Sequence, residues 1–110
     1  MRLVPEPREK VQEDPMTEKI IAPTIHLNGT SGRDLHHQVS EALHAARAAA
    51  AALSPSAPNA RDYYVQDPEA FAIAQEQFRL RMADLGRITH ELTEILDAIE
   101  TQCEERGIEI

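Results

Sequence analysis

The residues best suited to chemistry lie in two short clusters. The first is His26, Asn28, Thr30 and Ser31, set around Gly29 and Gly32. A helix starting here offers backbone N–H groups with no intrahelical acceptor, and glycines let a ligand come close to them. Hydroxyls and an imidazole beside such amides are the donors that a phosphate or a carboxylate requires. The cluster lacks the GxxxxGK[ST] spacing and the lysine of a P-loop. Plain helix capping accounts for the same residues equally well and uses just one of them. Both readings stand at this level.

The second cluster is Arg61-Asp62-Tyr63-Tyr64, which holds half of the chain's four aromatic side chains. A guanidinium there can pair with phosphate, and a tyrosine ring can stack on a base. The competing reading packs both rings against the end of a helical hairpin with their hydroxyls directed outward.

Other constellations are weaker. His37, Glu41 and His44 fall at i, i+4 and i+7, so they share one helix face, a spacing able to bind a transition metal. A solvated polar stripe has the same pattern, and no metal site is assigned. His36 and Arg47 lie on a neighbouring face, where they could meet an anion, and His90 stands beside Glu91 and Glu94 on a solvated face. Cys103, the single cysteine, falls on an apolar stripe and reads as a buried, inert thiol. It excludes an internal disulfide framework and a Cys-rich zinc module. Glu91, Glu94, Asp97 and Glu100 read as a solvent face rather than an acid/base pair. No nucleophile motif occurs, so the expectation is a protein that is not an enzyme and needs no cofactor.

The elements that must position these residues follow from periodicity. Residues 1–19 mix charges with Pro5, Pro7 and Pro15 and read as a disordered leader, with Met16 a second candidate start. The leader lacks the apolar stretch of a signal peptide. Residues 20–28 begin with the β-branched run Ile20 to Leu27 and form an extended arm, in which Pro23 forbids a central strand. Thr30 or Ser31 caps a helix over residues 32–53, and Asp34 in its first turn favours the positive end of the helix dipole. Leu35, Val39, Leu43, Ala46, Ala50 and Leu53 make its apolar stripe. Ser54-Pro55-Ser56-Ala57-Pro58 ends it, and a loop covers residues 54–66.

A second helix is expected over residues 67–106, with Asp67 as its cap, Pro68 at the first position and Gly107 as its stop. Phe71, Ala74, Phe78, Met82, Leu85, Ile88, Leu92, Ile95, Ile99 and Cys103 form a near-heptad seam along it. Gly86 in its middle suggests a close contact or slight bend. The fold class is therefore all-α: a helical hairpin with an N-terminal extended arm, residues 20–110 forming one domain. A hairpin of unequal helices leaves the C-terminal part of the long one uncovered by the first. Yet Ile88, Leu92, Ile95, Leu96 and Ile99 make that part the most apolar. Either the arm or a second copy must cover it, and two helices alone bury too little surface to be stable. A homo-oligomeric helical bundle is the expectation.

In a hairpin the two polar clusters lie at opposite ends of the first helix. A combined site therefore needs two chains.

Charge narrows the partners. The chain of 110 residues carries 11 Lys+Arg and 19 Asp+Glu, a formal −8, which disfavours bulk nucleic acid. Residues 62–110 hold twelve of the nineteen acids, whereas residues 20–61 hold three arginines, two acids and four of the five histidines. The segment bearing the glycine turn and Arg61 is thus slightly positive and open to a small anion. The longest low-polarity run, Ala48 to Leu53, is far below the roughly 20 residues of a membrane span, and a cytoplasmic protein is expected. Asn28-Gly29-Thr30 matches a glycosylation acceptor by accident in such a compartment.

The stretch Thr24-Ile25-His26-Leu27-Asn28-Gly29-Thr30-Ser31, followed by Ala57-Pro58-Asn59-Ala60-Arg61-Asp62-Tyr63-Tyr64, resembles a group of small proteins encoded by tailed phages and prophages. The likeness spans about residues 23–100. It implies an accessory phage gene acting in a bacterial host, a class that often counters host defence. Some small helical phage oligomers sequester nucleotide second messengers between subunits. By that analogy the expected function is non-enzymatic sequestration of a small phosphorylated ligand, a nucleotide immune signal. His26, Asn28, Gly29, Thr30, Ser31, Arg61, Tyr63 and Tyr64 would form the site. The alternative is a structural or adaptor protein whose seams bind only protein, a host factor or a virion part. A third reading, a phosphodiesterase-like enzyme, would need a metal at His37, Glu41 and His44.

Overall fold

A computed structural model describes residues 19–110, so the leader expected over residues 1–19 lies, except for Lys19, outside the described residues. The fold is all-α. An extended arm (residues 19–27) runs through a turn into helix α1 (Gly32–Leu53), and helix α2 (Ala70–Arg106) returns antiparallel to it. Two single 3-10 turns, Ser54–Ser56 and Ala60–Asp62, punctuate the connection.

Helix α1 begins where Ser31 caps it: Ser31 Oγ accepts from the Asp34 N–H at 3.1 Å. Of the two candidate caps, Thr30 plays no such part. Helix α2 starts three residues later than expected. Asp67 does not cap it with its side chain; the Asp67 carbonyl accepts from the Ala70 N–H at 2.9 Å. Pro68 and Glu69 thereby form a turn outside the helix, and Glu69 is an N-cap with no side-chain hydrogen bond. At the other end Gly107 adopts φ +69°, a left-handed conformation that suits glycine. The Ile108 N–H donates to the Cys103 carbonyl at 2.8 Å, so the chain doubles back on the helix end.

That reversal carries Ile108 onto the core. Ile25 from the arm joins Ile99 and Cys103 from α2, with Leu35, Val39, Ile95 and Ile108 packed around them. Ile99 and Cys103 are fully buried. Gly32 opens α1 against this cluster, and only the lack of a side chain lets α1 approach Cys103 so closely. Leu43 is the one other buried apolar side chain among the described residues.

The register corrects one expectation. His36 Nε2 lies 2.9 Å from Glu100 Oε2, so the start of α1 stands beside the end of α2. The last turns of α2, at Ile95, Ile99 and Cys103, are therefore covered by α1 and by the arm together, whereas Ile88 remains 37% exposed and Leu92 and Leu96 half-buried. Helix α2 has 37 residues against 22 in α1, an excess of about 22 Å at 1.5 Å per residue. The excess lies at the N-terminal end of α2, where Ile73 (54% exposed) and Leu80 face solvent one heptad apart. Aligning the helices at the loop puts the excess at the wrong end. The sixteen residues between them let α2 begin beyond the end of α1. Gly86 makes no close contact among the described residues, since a Cβ there would meet nothing of theirs within 4 Å.

Candidate functional site

The arm delivers His26 to Ser31 at the first turn of α1. The Gly29 N–H donates to the His26 carbonyl at 3.1 Å, closing a tight turn. The His26 ring folds over this turn: its Nδ1 accepts from the Asn28 N–H at 3.3 Å, which requires that nitrogen to be unprotonated. A Cβ on Gly29 would stand 2.8 Å from His26 Nε2, so the glycine makes room for the ring. Thr30 is exposed. Ser31 takes the Asp34 amide, and its carbonyl takes that of Leu35 at 2.9 Å. The first-turn amides of Gly32 and Arg33 keep no protein acceptor among the described residues.

Beside these amides lies an open depression of about 460 Å³. His26, Gly29, Ser31, Gly32, Arg33 and Arg106 line it, with apolar sides from Ile25, Leu27 and Ile108. Two arginines thus line the depression at the positive end of α1, a combination suited to a small anion. Arg33 and Arg106 were missed in the sequence. Arg33 follows the second glycine directly and was legible in principle. Arg106 is brought there only by the antiparallel register.

The second cluster sits at the other end of α1. Asn59 Oδ1 accepts from the Arg61 N–H at 3.1 Å and fixes the 3-10 turn Ala60–Asp62. The turn continues as the Tyr63 N–H donates to the Ala60 carbonyl at 3.0 Å. Tyr63 is half-buried, with its ring centroid 6.1 Å from that of Phe71 at a 44° tilt. It performs the packing role. Tyr64 is 79% exposed, and Arg61 is exposed with no side-chain partner among the described residues. Helix α1 separates the two clusters by about 33 Å, the length of its 22 residues. Within one chain they do not meet.

The remaining groups offer little. His37, Glu41 and His44 are exposed, and no group of three or more His, Cys, Asp or Glu among the described residues could hold a metal ion. His37 lines a separate depression with Arg33, His36 and Glu109. Cys103 is buried and free. Among the described residues no helix is long and apolar enough to cross a membrane. On the surface of α2, Arg79 binds both oxygens of Glu76, three residues away, at 2.9 and 2.7 Å. That hydrogen-bonded guanidinium holds the Glu76 carboxyl below the usual carboxylate range.

Compared with family models, with curated proteins and with solved structures, the chain finds no match in any of the three. The fold and the site together define an arm-bearing helical hairpin with an arginine-lined depression at the start of its first helix.

Proposed function

We propose that the protein is a non-enzymatic, oligomeric binder of a small phosphorylated ligand, with each site completed by two copies. The glycine turn of one chain, with Arg33 and Arg106, holds phosphate. Arg61 of another pairs charge with it, and Tyr64 stacks on a base. In the setting that the phage-type motifs imply, the ligand is a nucleotide immune signal sequestered in the cytoplasm of a bacterial host.

One observation carries this reading. Arg61 lies on the Asn59-capped turn and Tyr64 on the turn that follows it, yet both are exposed with no partner side chain in their own chain among the described residues. Capping alone explains Ser31, and packing alone explains Tyr63, but neither explains these two. Self-association is supported by the thin core, four buried apolar side chains among the described residues, and by exposed Ile73 and Leu80.

The apolar row of Ile73 and Leu80 also favours the second reading, an adaptor that binds only protein. Light scattering at micromolar concentration, joined to thermal-shift screening with cyclic dinucleotides and ADP-ribose derivatives, separates them. A multimer stabilised by one of these ligands, with the stabilisation lost in Arg61→Ala and Tyr64→Ala, supports the binder. A monomer, or no shift with any of them, overturns it.

A further inference from the structure

The arm is held to the hairpin by one apolar plug and one side-chain amide. Ile25 is buried, so its backbone N–H must find a partner inside the protein. It donates to Gln102 Oε1 at 2.8 Å. The Nε2 of the same carboxamide donates to the Pro23 carbonyl at 2.9 Å. A single primary amide thus does for the arm what a neighbouring strand would do, giving an acceptor and a donor to backbone groups two residues apart. The amide orientation is fixed by these partners. Turned over, it would set N–H against N–H and oxygen against oxygen. Among the described residues no other side chain hydrogen-bonds the backbone of residues 19–27.

The grip holds the segment that leads directly into the glycine turn. Ile21 and Leu27, on either side of the anchored residues, are exposed, Leu27 at 97%. Immediately after Ile25 come His26 and the turn to Ser31. Ile25 itself forms part of the wall of the depression. Gln102 does not line that depression; it bonds the arm, which does.

We propose that Gln102 is the positioning residue of the candidate anion site: its carboxamide latches the arm, and the latched arm sets the His26–Ser31 turn over the first turn of α1. The site is competent only while the arm is docked. The ligand half of this statement rests on the function proposed above, and the latch does not.

Gln102→Glu and Gln102→Leu test it on the full chain. The carboxylate of the first still accepts from the Ile25 N–H but has no hydrogen for the Pro23 carbonyl, and it sets two oxygens against each other. Leucine removes both bonds. Amide exchange followed by NMR reads the latch directly. The Ile25 amide is protected in the wild type and exchanges about tenfold faster in both variants at neutral pH, while Ile99 in α2 keeps its protection. On acidification through the carboxylic range Gln102→Glu regains Ile25 protection relative to wild type, because the acid form again has a hydrogen to donate. Gln102→Leu does not regain it.

Binding of cyclic di-AMP, cyclic di-GMP and ADP-ribose is measured on the same samples. Whichever probe binds the wild type loses about tenfold in affinity in both variants, in step with the loosened arm. Unchanged Ile25 protection overturns the latch, and a loosened arm with undiminished affinity overturns the positioning role. Failure of every probe to bind the wild type overturns the ligand reading and the role of Gln102 in it, and the exchange rates then decide the latch alone.

Discussion

Gly32 and Cys103 meet so closely that a Cβ on the glycine would stand 2.9 Å from the cysteine sulfur. The same atom would lie 3.0 Å from Ile25 Cδ1 and 3.4 Å from Ile108 Cδ1. One missing side chain therefore lets four segments converge: the arm, the start of α1, the end of α2 and the reversed C-terminus. Gly32→Ala forces this junction apart. Overpacking of this kind costs about 1–3 kcal/mol, more than alanine's helix propensity returns at a first-turn position. Urea denaturation of the variant checks the sign, which is the opposite of that expected from propensity alone.

Gly86→Ala goes the other way. With nothing within 4 Å of its Cβ and a helical conformation, alanine there stabilises the isolated chain by about 0.5–1 kcal/mol. A loss of stability at concentrations where the protein is multimeric would place a partner helix against this glycine.

The two tyrosines should separate cleanly. Tyr63→Ala removes the contact with Phe71 and lowers the melting temperature, by an amount corresponding to about 1–2 kcal/mol for a half-buried ring. Tyr64→Ala removes an exposed ring and leaves the melting temperature unchanged, while binding of the phosphorylated ligand is lost. Equal effects of both substitutions on stability would contradict the assignment of packing to Tyr63 alone.

Cys103 is inert while the protein is folded. Its side chain is buried between Gly32 and the arm, so a thiol reagent reacts at the rate of local opening rather than at the rate of an exposed thiol. Addition of denaturant restores full reactivity. Gln102→Leu, by loosening the arm, accelerates labelling in native buffer.

The pH dependence has one local contribution of known sign. Glu76 has a lowered pKa in the folded protein because Arg79 is hydrogen-bonded to it. A depressed carboxylate contributes stability above its unfolded pKa and loses it as pH falls through the folded value. Glu76→Gln therefore flattens the acid limb of the stability curve, with no change in its alkaline limb. The pair is fully exposed, so the effect is small and disappears at high salt.

Much of the fold was legible. The stripe from Leu35 to Leu53 and the Ser-Pro stop delimit α1 because helical period and capping chemistry are local properties of the chain. Gly107 as the end of α2 is local in the same way, since only glycine takes that backbone conformation without strain. The start of α2 was misplaced because Asp67-Pro68 is good chemistry for a cap and equally good for a turn. Of the candidate site, the glycine turn and the loop arginine were visible as residue types, but their division of labour was not. Tyr63 as a packing ring depends on the neighbour that the fold supplies, Phe71.

By itself the sequence determined two amphipathic helices, an extended arm and a charge distribution that leaves the arm end slightly positive. These follow from the order of residues along one strand of chain. Only the tertiary structure decided that Arg106 joins Arg33, that Gln102 grips Pro23 and Ile25, and that the uncovered part of α2 is its beginning. Each of these is set by the register between antiparallel helices. That register is a balance of contacts some seventy residues apart, and no local pattern encodes it.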